Sequence, residues 1–260
     1  MFAMMFGGDS LTNYQVGSVE VDNVQNNTTV VTTTGMQADL IILIGTQSQT
    51  SNIHRNDCNL SIGFCNGALD QVATYFATDD GVATSTTRGR CTASRIGFDP
   101  EIDAGFTGTL EVTDISSGSF TLTTRDDNMA HSDQVYGYVA LEFEDSINVH
   151  VGTETSPTST GNRSESNFGF VAEMMLEVGT TMTTLDQTFT GGQSSGLSFN
   201  IMDHKVEASI ACAIEDGQGT TDTQSQMEHR ASYTDSDDGT LAYACDMVSW
   251  DAGGLTRNWL

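Results

Sequence analysis

The stretch GMQADLIILI, at residues 35–44, recurs in altered form as GFVAEMMLEV at residues 169–178. Each version begins with a glycine, passes an acidic residue and continues into a run of mostly apolar side chains. A short apolar run behind turn residues is typical of a β-strand that is buried on both faces. We therefore predict matching strands at residues 40–44 and 173–178.

Further pairs of segments repeat in the same order on either side of these two stretches. The pairs are 9–11 with 145–147, 16–18 with 151–153, 60–62 with 197–199, 79–81 with 215–217, 93–94 with 231–232, and 118–121 with 253–256. The offset between partners stays between 134 and 138 residues throughout. Such a constant offset indicates a tandem duplication, with units at residues 1–137 and 138–260, each long enough to be a domain.

Short apolar runs separated by Asp, Gly, Ser and Asn predict an all-β fold, and no long window has helical periodicity. The other predicted strands lie at 2–6, 60–65, 71–78, 90–97, 108–113, 119–124, 139–143, 197–202 and 207–214. About seven or eight short strands per unit is the size of a β-sandwich or jelly roll. We expect two tandem, homologous β-sandwich domains of the jelly-roll type.

The strand at 139–143 follows the run at 120–123, and the two could pair as a late hairpin. Its counterpart in the repeat is the apolar segment at 2–6, at the far end of the chain. A sandwich that lacks a strand leaves an unpaired edge. We therefore hypothesise that residues 2–6 complete the second sandwich, in the same chain or in a neighbouring copy.

The chain has 35 acidic and 9 basic residues, a formal charge of −26 and a single lysine, Lys205. This composition argues against binding to nucleic acid or to an anionic membrane, because both need Lys and Arg. The apolar start, residues 1–6, is short and lacks a basic region, so we expect no signal peptide. No apolar run approaches the length of a membrane helix, so membrane insertion is disfavoured.

Histidines and acidic residues are present, but they do not have the spacing of known catalytic or metal-binding motifs. No HExxH, GxSxG or GxxxxGK[ST] motif occurs. The acidic pairs are more typical of tight turns than of a calcium-binding loop. The candidate residues are His54, His131, His150, His204 and His229, with the acidic clusters at 79–80, 126–127, 215–216 and 235–238. We expect no catalytic residue, no cofactor and no metal site, and see no reason to expect a glycoside hydrolase.

The five cysteines, Cys58, Cys65, Cys91, Cys212 and Cys245, are odd in number and irregularly spaced, which favours buried, reduced thiols over disulfides. A Cys58–Cys65 bridge across a hairpin is the alternative. Arg88, Arg90 and Arg95 form the one basic cluster, expected at a solvated strand end or against an acidic neighbouring subunit. The aromatic residues, including Trp250 and Trp259, are more often core residues than sugar-stacking platforms.

Several of these segments resemble uncharacterised tandem-repeat proteins of tailed phages. The resemblance rests on DGVATSTTR at 80–88, GSFTL at 118–122, YVAL at 138–141, TSTGN at 158–162 and DAGGLTRNW at 251–259. In that pattern a proline follows the Gly-Phe pair, and here Gln37 and Val171 stand in its place. The resemblance implies a component of a virus particle, such as a head decoration, fibre or tail protein, and implies no catalytic residue.

We therefore expect a non-enzymatic structural protein on the virion surface, in contact with other capsid or tail proteins. A homo-oligomer is expected, and the trimer is the favoured state by analogy. The alternative is a lectin-like module that binds a carbohydrate or host receptor. The structural interpretation predicts that Trp250 and Trp259 are buried, whereas the lectin interpretation predicts exposed aromatic residues beside polar loops.

Overall fold

The computed structural model describes residues 10–46, 58–79, 84, 86–99, 108–126, 134–145, 147–166, 168–182, 184–186, 195–215, 223–235 and 241–260. These residues form eighteen strands and no helix, so the prediction of an all-β fold is confirmed. In chain order the strands are β1 Leu11–Val21, β2 Thr28–Thr32, β3 Leu40–Gly45, β4 Cys58–Asn66, β5 Gln71–Thr78, β6 Thr87–Thr92, β7 Gly97–Phe98, β8 Thr109–Ser116, β9 Ser119–Arg125, β10 Gln134–Phe143, β11 Gly161–Glu165, β12 Met174–Thr180, β13 Ser195–Asp203, β14 Glu207–Ile214, β15 Thr223–Glu228, β16 Ser232–Asp235, β17 Leu241–Asp251 and β18 Gly254–Trp259.

The strands form four sheets with orders β1-β10-β3-β4-β5-β6, β2-β9-β8-β7, β12-β13-β14-β15 and β11-β18-β17-β16. In one sheet β3, β4, β5 and β6 lie side by side in chain order, and β12, β13, β14 and β15 do the same in another sheet. In each of the other two sheets, the first strand lies beside the last, and the strands between follow in reverse chain order, as in β2-β9-β8-β7 and β11-β18-β17-β16. The two halves of the chain therefore share one strand topology, apart from β1 and β10.

The chain divides into two compact units. Unit 1 contains Met1–Arg55, Asn59–Tyr75 and Thr92–Thr153, and unit 2 contains Asn56–Cys58, Phe76–Cys91 and Glu154–Leu260. The segment 76–91, which precedes β7 in the sequence, thus belongs to unit 2.

The core of unit 1 combines buried side chains from two sheets, as in a β-sandwich. Ile41 and Leu43 of β3 belong to the same buried apolar cluster as Leu110 of β8 and Phe120 and Leu122 of β9. Alternate residues of each strand point to one face, which is why these strands bury one side against the opposite sheet. In unit 2 the smaller core combines Met202 of β13 with Cys245 and Trp259 of the other sheet.

Most predicted strands are present within a few residues of the predicted bounds, and β5 and β14 match them fully. The predicted strand at 90–97 is wrong, because it divides into β6 and β7, which belong to different sheets. The serine and arginine residues at 94–95 lie in a bend between the two. The segment at 2–6 lies outside the described residues.

The predicted hairpin between 120–123 and 139–143 is also wrong. Segment 120–123 lies in β9, which pairs with β2 and β8, whereas β10 pairs with β1 and β3 in the other sheet. Both edges of β9 are therefore already occupied. Tyr136, Tyr138 and Ala140 of β10 are buried in the unit 1 core from the opposite side.

Candidate functional site

A groove of about 570 Å³ opens on unit 2 beside the turn that joins β13 to β14. Polar and aromatic side chains line it together with the aliphatic Val206 and Val248. The polar and aromatic residues are Asp203, His204, Lys205, Glu207, His229 and Trp250. A concave surface that combines apolar area with a few polar groups is the usual form of a small-molecule site.

The turn at one wall of the groove is held by Asp203. Its Oδ1 accepts hydrogen bonds from the backbone N–H groups of Lys205 and Val206 at 2.6 and 2.7 Å, and its own N–H donates to the Val206 carbonyl at 2.9 Å. These backbone bonds lower the pKa of Asp203 below its usual range. The fixed turn presents His204 and Lys205 to solvent at the groove.

Trp250 provides the aromatic surface of the groove, and an irregularity in β17 places it there. The register between β17 and β18 shifts between Met247 and Ser249, which marks a bulge at Val248. In a regular strand, residues 247 and 250 would point to opposite faces. With the bulge, both pack against the unit 2 core, and Val248 turns outward with half of its surface exposed.

The Trp250 indole also contacts His204, with ring centroids 5.1 Å apart and planes tilted by 37°. Trp250 is half-buried and Trp259 is 5% exposed. The prediction of two buried tryptophans thus holds for Trp259 alone. Burial is the rule for the other aromatic candidates on strands, such as Tyr75, Tyr136 and Tyr138, whereas Tyr14 is 65% exposed.

Charges in the groove are mixed. Glu207 Oε1 accepts a hydrogen bond from the Met247 N–H at 3.1 Å, and partial burial raises the pKa of this carboxyl. Lys205 is the only lysine of the chain, and no carboxylate of the described residues forms an ion pair with it. Two carboxylates and one ammonium therefore face the groove with two imidazoles.

A second polar cluster of unit 2 surrounds the fully buried Arg257. Its Nη2 donates to Glu165 Oε1 at 2.6 Å and its Nη1 donates to Glu177 Oε2 at 2.7 Å, while Glu154 forms a third ion pair. The guanidinium carbon also lies 5.0 Å from the centre of the Trp259 ring. Three carboxylates thus converge on one cation.

Burial controls the protonation of this cluster. It raises the pKa of both Glu165 and Glu177 to about 7 and lowers the pKa of Arg257 to about 10. Ser232 and Asn200 donate to Glu177 Oε1 at 2.5 and 2.9 Å, which opposes part of the shift. Arg257 is fully buried, whereas the side chains of Glu154, Glu165 and Glu177 keep 28%, 19% and 18% of their surface exposed, so the carboxylates cover the cation from its solvent side.

The third unusual feature is the edge strand β12. In unit 1 the matching strand β3 has β10 on one side and β4 on the other, and Ile41, Ile42 and Leu43 are buried. Among the described residues β12 pairs with β13 alone. As a result Met175 and Leu176 are only partly buried, and Met174 is 44% exposed.

The remaining predicted candidates do not converge. Arg95 donates to Asp126 at 3.2 Å and Arg90 lies 3.7 Å from Asp186, so both find acidic partners in the chain. His54, His131 and the acidic residues 80, 127, 216, 237 and 238 lie outside the described residues. In the part of the chain that is described, no three His, Cys, Asp or Glu side chains form a group that could hold a metal.

All five cysteines are free and the Cys58–Cys65 bridge is absent, so the prediction of free thiols is confirmed, but the prediction that they are buried is wrong for Cys58, Cys91 and Cys212. Cys65 and Cys245 are buried, whereas Cys58 is exposed. Neither the groove nor the Arg257 cluster was predicted from the sequence. The one available signal was the position of Lys205 next to His204, in a chain otherwise without lysine.

Within the described ranges, the chain contains no helix with the length and apolar character needed to cross a membrane. No family model, no curated protein and no solved structure matches the chain.

Proposed function

We propose that this protein is a non-enzymatic structural component of a tailed-phage particle, either a capsid decoration or a head or tail fibre protein on the virion surface. The observation that carries the proposal is the edge of β12 that has no strand partner among the described residues, since an unpaired strand is a template for self-association. The loose resemblance to phage tandem-repeat proteins supports the assignment to a particle.

The proposal includes two homologous jelly-roll-like domains that arose by duplication. Support comes from two independent observations, the repeated sequence segments and the shared strand order in the two halves of the chain. If β12 is the counterpart of β3, the edge of β12 without a partner in the described part of the chain marks the position that β10 occupies in unit 1.

Residues 2–6 of a second copy are the proposed occupant of this edge. Their sequence, FAMMF, matches VALEF at residues 139–143 of β10, with alanine at the second position of each and phenylalanine at the last. In unit 1 Ala140 lies opposite Ile41 and Leu141 lies opposite Leu40. In the proposed pairing, this register would set Ala3 opposite Met175 and Met4 opposite Met174.

Addition of this strand would give Met175 and Leu176 the cover that Ile41 and Ile42 have. It would also link copies head to tail, a contact that closes into a ring or continues as a filament. A closed ring accounts for the expected homo-oligomer, with a trimer as one possible size. Other capsid or tail proteins then bind the assembled ring.

The test is cysteine cross-linking in a Cys58→Ser background, which removes the exposed thiol. Two double variants are made, Ala3→Cys with Met175→Cys and Met4→Cys with Met174→Cys. Adjacent antiparallel pairs alternate between close and wide spacing, so one of the two suits a disulfide. We expect covalent oligomers on a non-reducing gel. Bonds within one chain, or monomers only, would contradict assembly through this edge.

The register control is Ala3→Cys with Leu176→Cys, which is offset by one residue and should cross-link poorly. Deletion of residues 1–8 should abolish the oligomer. Mass spectrometry of purified particles then tests the location, because hundreds of copies per particle indicate capsid decoration and a few copies indicate a tail or fibre role. Absence from particles would contradict the structural function.

The groove on unit 2 favours a second candidate function, a lectin-like module that binds a carbohydrate or host-surface glycan. The half-buried Trp250 beside the polar turn at Asp203 is the aromatic and polar combination that this function requires. The two functions are compatible, because a particle surface protein can also bind host glycans. Binding to a glycan array tests the second one.

A further inference from the structure

We propose that the groove on unit 2 binds a neutral pyranose saccharide, with Trp250 as its platform and the polar groups at the β13–β14 turn as hydroxyl partners. The inference rests on the second candidate function and specifies its ligand class. It does not depend on the assembly function.

The apolar half of the groove fits the C–H face of a sugar ring. Trp250 is held in place by the unit 2 core on one side and by His204 on the other. Val206 and Val248 flank it and are 57% and 50% exposed. Large exposed aliphatic groups beside a fixed indole form an apolar surface that a monomeric protein has no packing reason to keep.

The polar half offers hydrogen-bond groups whose positions are fixed. Asp203 uses Oδ1 for the turn, and no hydrogen bond involves its Oδ2 within the described structure. Glu207 accepts a hydrogen bond from the Met247 N–H through Oε1 and is one of the residues that line the groove. Sugar hydroxyls donate to such carboxylates and accept from an ammonium group such as that of Lys205.

The charge balance selects the ligand class. Asp203 and Glu207 outnumber Lys205 in the groove, and the chain carries a formal charge of −26. A uronate, sialate or sulfated saccharide would be repelled both locally and by the whole molecule. A neutral pyranose avoids this repulsion and still satisfies the carboxylates through its hydroxyls.

A glycan array that carries neutral hexose and N-acetylhexosamine oligosaccharides beside sialylated and uronate-containing ones tests the ligand class. We expect binding to neutral spots alone. The neutral oligosaccharide that binds most tightly on the array is then added to the protein in increasing amounts, and acrylamide quenching of tryptophan fluorescence is measured at each concentration. Trp250 is the more accessible of the two tryptophans, so a bound sugar should reduce quenching at least twofold.

Two variants locate the site. His204→Ala removes an exposed ring and should weaken binding about fivefold, and Trp250→Ala should weaken it at least tenfold. The matched control is Tyr14→Ala, which removes an exposed aromatic side chain from unit 1 and should leave binding unchanged. Circular dichroism checks that Trp250→Ala remains folded, and the His204 variant carries the test if it does not.

The outcomes separate the claims. Equal or tighter binding to acidic saccharides would overturn the neutral class and leave a glycan-binding function in place. Binding that His204→Ala and Trp250→Ala leave unchanged would overturn this groove as the site. Failure of every saccharide on the array to bind would overturn both the inference and the second candidate function.

Discussion

Glu177 Oε2 accepts a hydrogen bond from Arg257 Nη1 at 2.7 Å inside unit 2, whereas the matching positions of unit 1 hold Leu43 and Leu122, both buried. Glu165 likewise takes the position that Val31 has in unit 1. Glu165 pairs with Leu255 and Val31 pairs with Phe120, and the sequence repeat matches Leu255 with Phe120. One core is thus apolar at the three positions where the other is ionic.

The first prediction concerns the replacement of these ionic residues. Arg257→Leu alone should lower the free energy of unfolding by about 3 kcal/mol, because it leaves partly buried carboxylates without their cation. The triple variant Glu165→Val, Glu177→Leu, Arg257→Leu copies the residues of unit 1 and should regain most of that loss. Chemical denaturation followed by circular dichroism measures both. A triple variant no more stable than the single one would show that the two cores are not equivalent.

The second prediction is the pH dependence of stability. Burial raises the pKa of Glu177 to about 7, above an ordinary value of 4.5, so the folded state binds more protons between these two pH values. Stability from this group is therefore greatest at low pH and falls as pH rises from about 4.5 to 7, by about 2–3 kcal/mol. Glu165 contributes in the same direction.

Thermal unfolding of the intact chain at several pH values between 4.5 and 8 measures this slope. Glu177→Gln is the control, because it cannot titrate and should flatten the curve, whereas repulsion among surface carboxylates stays the same. A wild-type slope equal to that of Glu177→Gln would show that the Glu177 carboxyl does not control stability.

The third prediction tests a close approach of the backbone in unit 1. A Cβ on Gly63 of β4 would lie 1.9 Å from the Ile96 carbonyl oxygen. Gly63→Ala should therefore force the backbone apart and cost about 1–3 kcal/mol or more. Gly137→Ala in β10 is the control, because its nearest contact would be an ordinary 3.7 Å. Equal melting temperatures of the two variants would contradict the packing of β4 against the segment at Ile96.

The fourth prediction concerns thiol reactivity. Cys58 is exposed, whereas Cys65 is buried and its pKa is raised to about 12, chiefly by desolvation. In the native protein at pH 8, a thiol reagent should label Cys58 within minutes and should label Cys65 and Cys245 only after unfolding. Peptide mass spectrometry identifies the labelled sites. Fast labelling of Cys65 in the folded protein would contradict its place in the unit 1 core.

The sequence alone determined the local structure and the repeat. Apolar runs such as those of β3 and β5, bounded by turn residues, specify strands because period and turn chemistry are local properties. The matched segments at a nearly constant offset indicate two related halves from the sequence alone.

Only the tertiary structure decided which strands pair and which polar residues meet. It placed β10 beside β3 instead of β9, because pairing depends on which edges other strands already occupy. It also brought Glu177 and Arg257 together from positions 80 residues apart, and Trp250 beside His204. Contacts between distant residues depend on the register and stacking of whole sheets, which no local pattern of residues encodes.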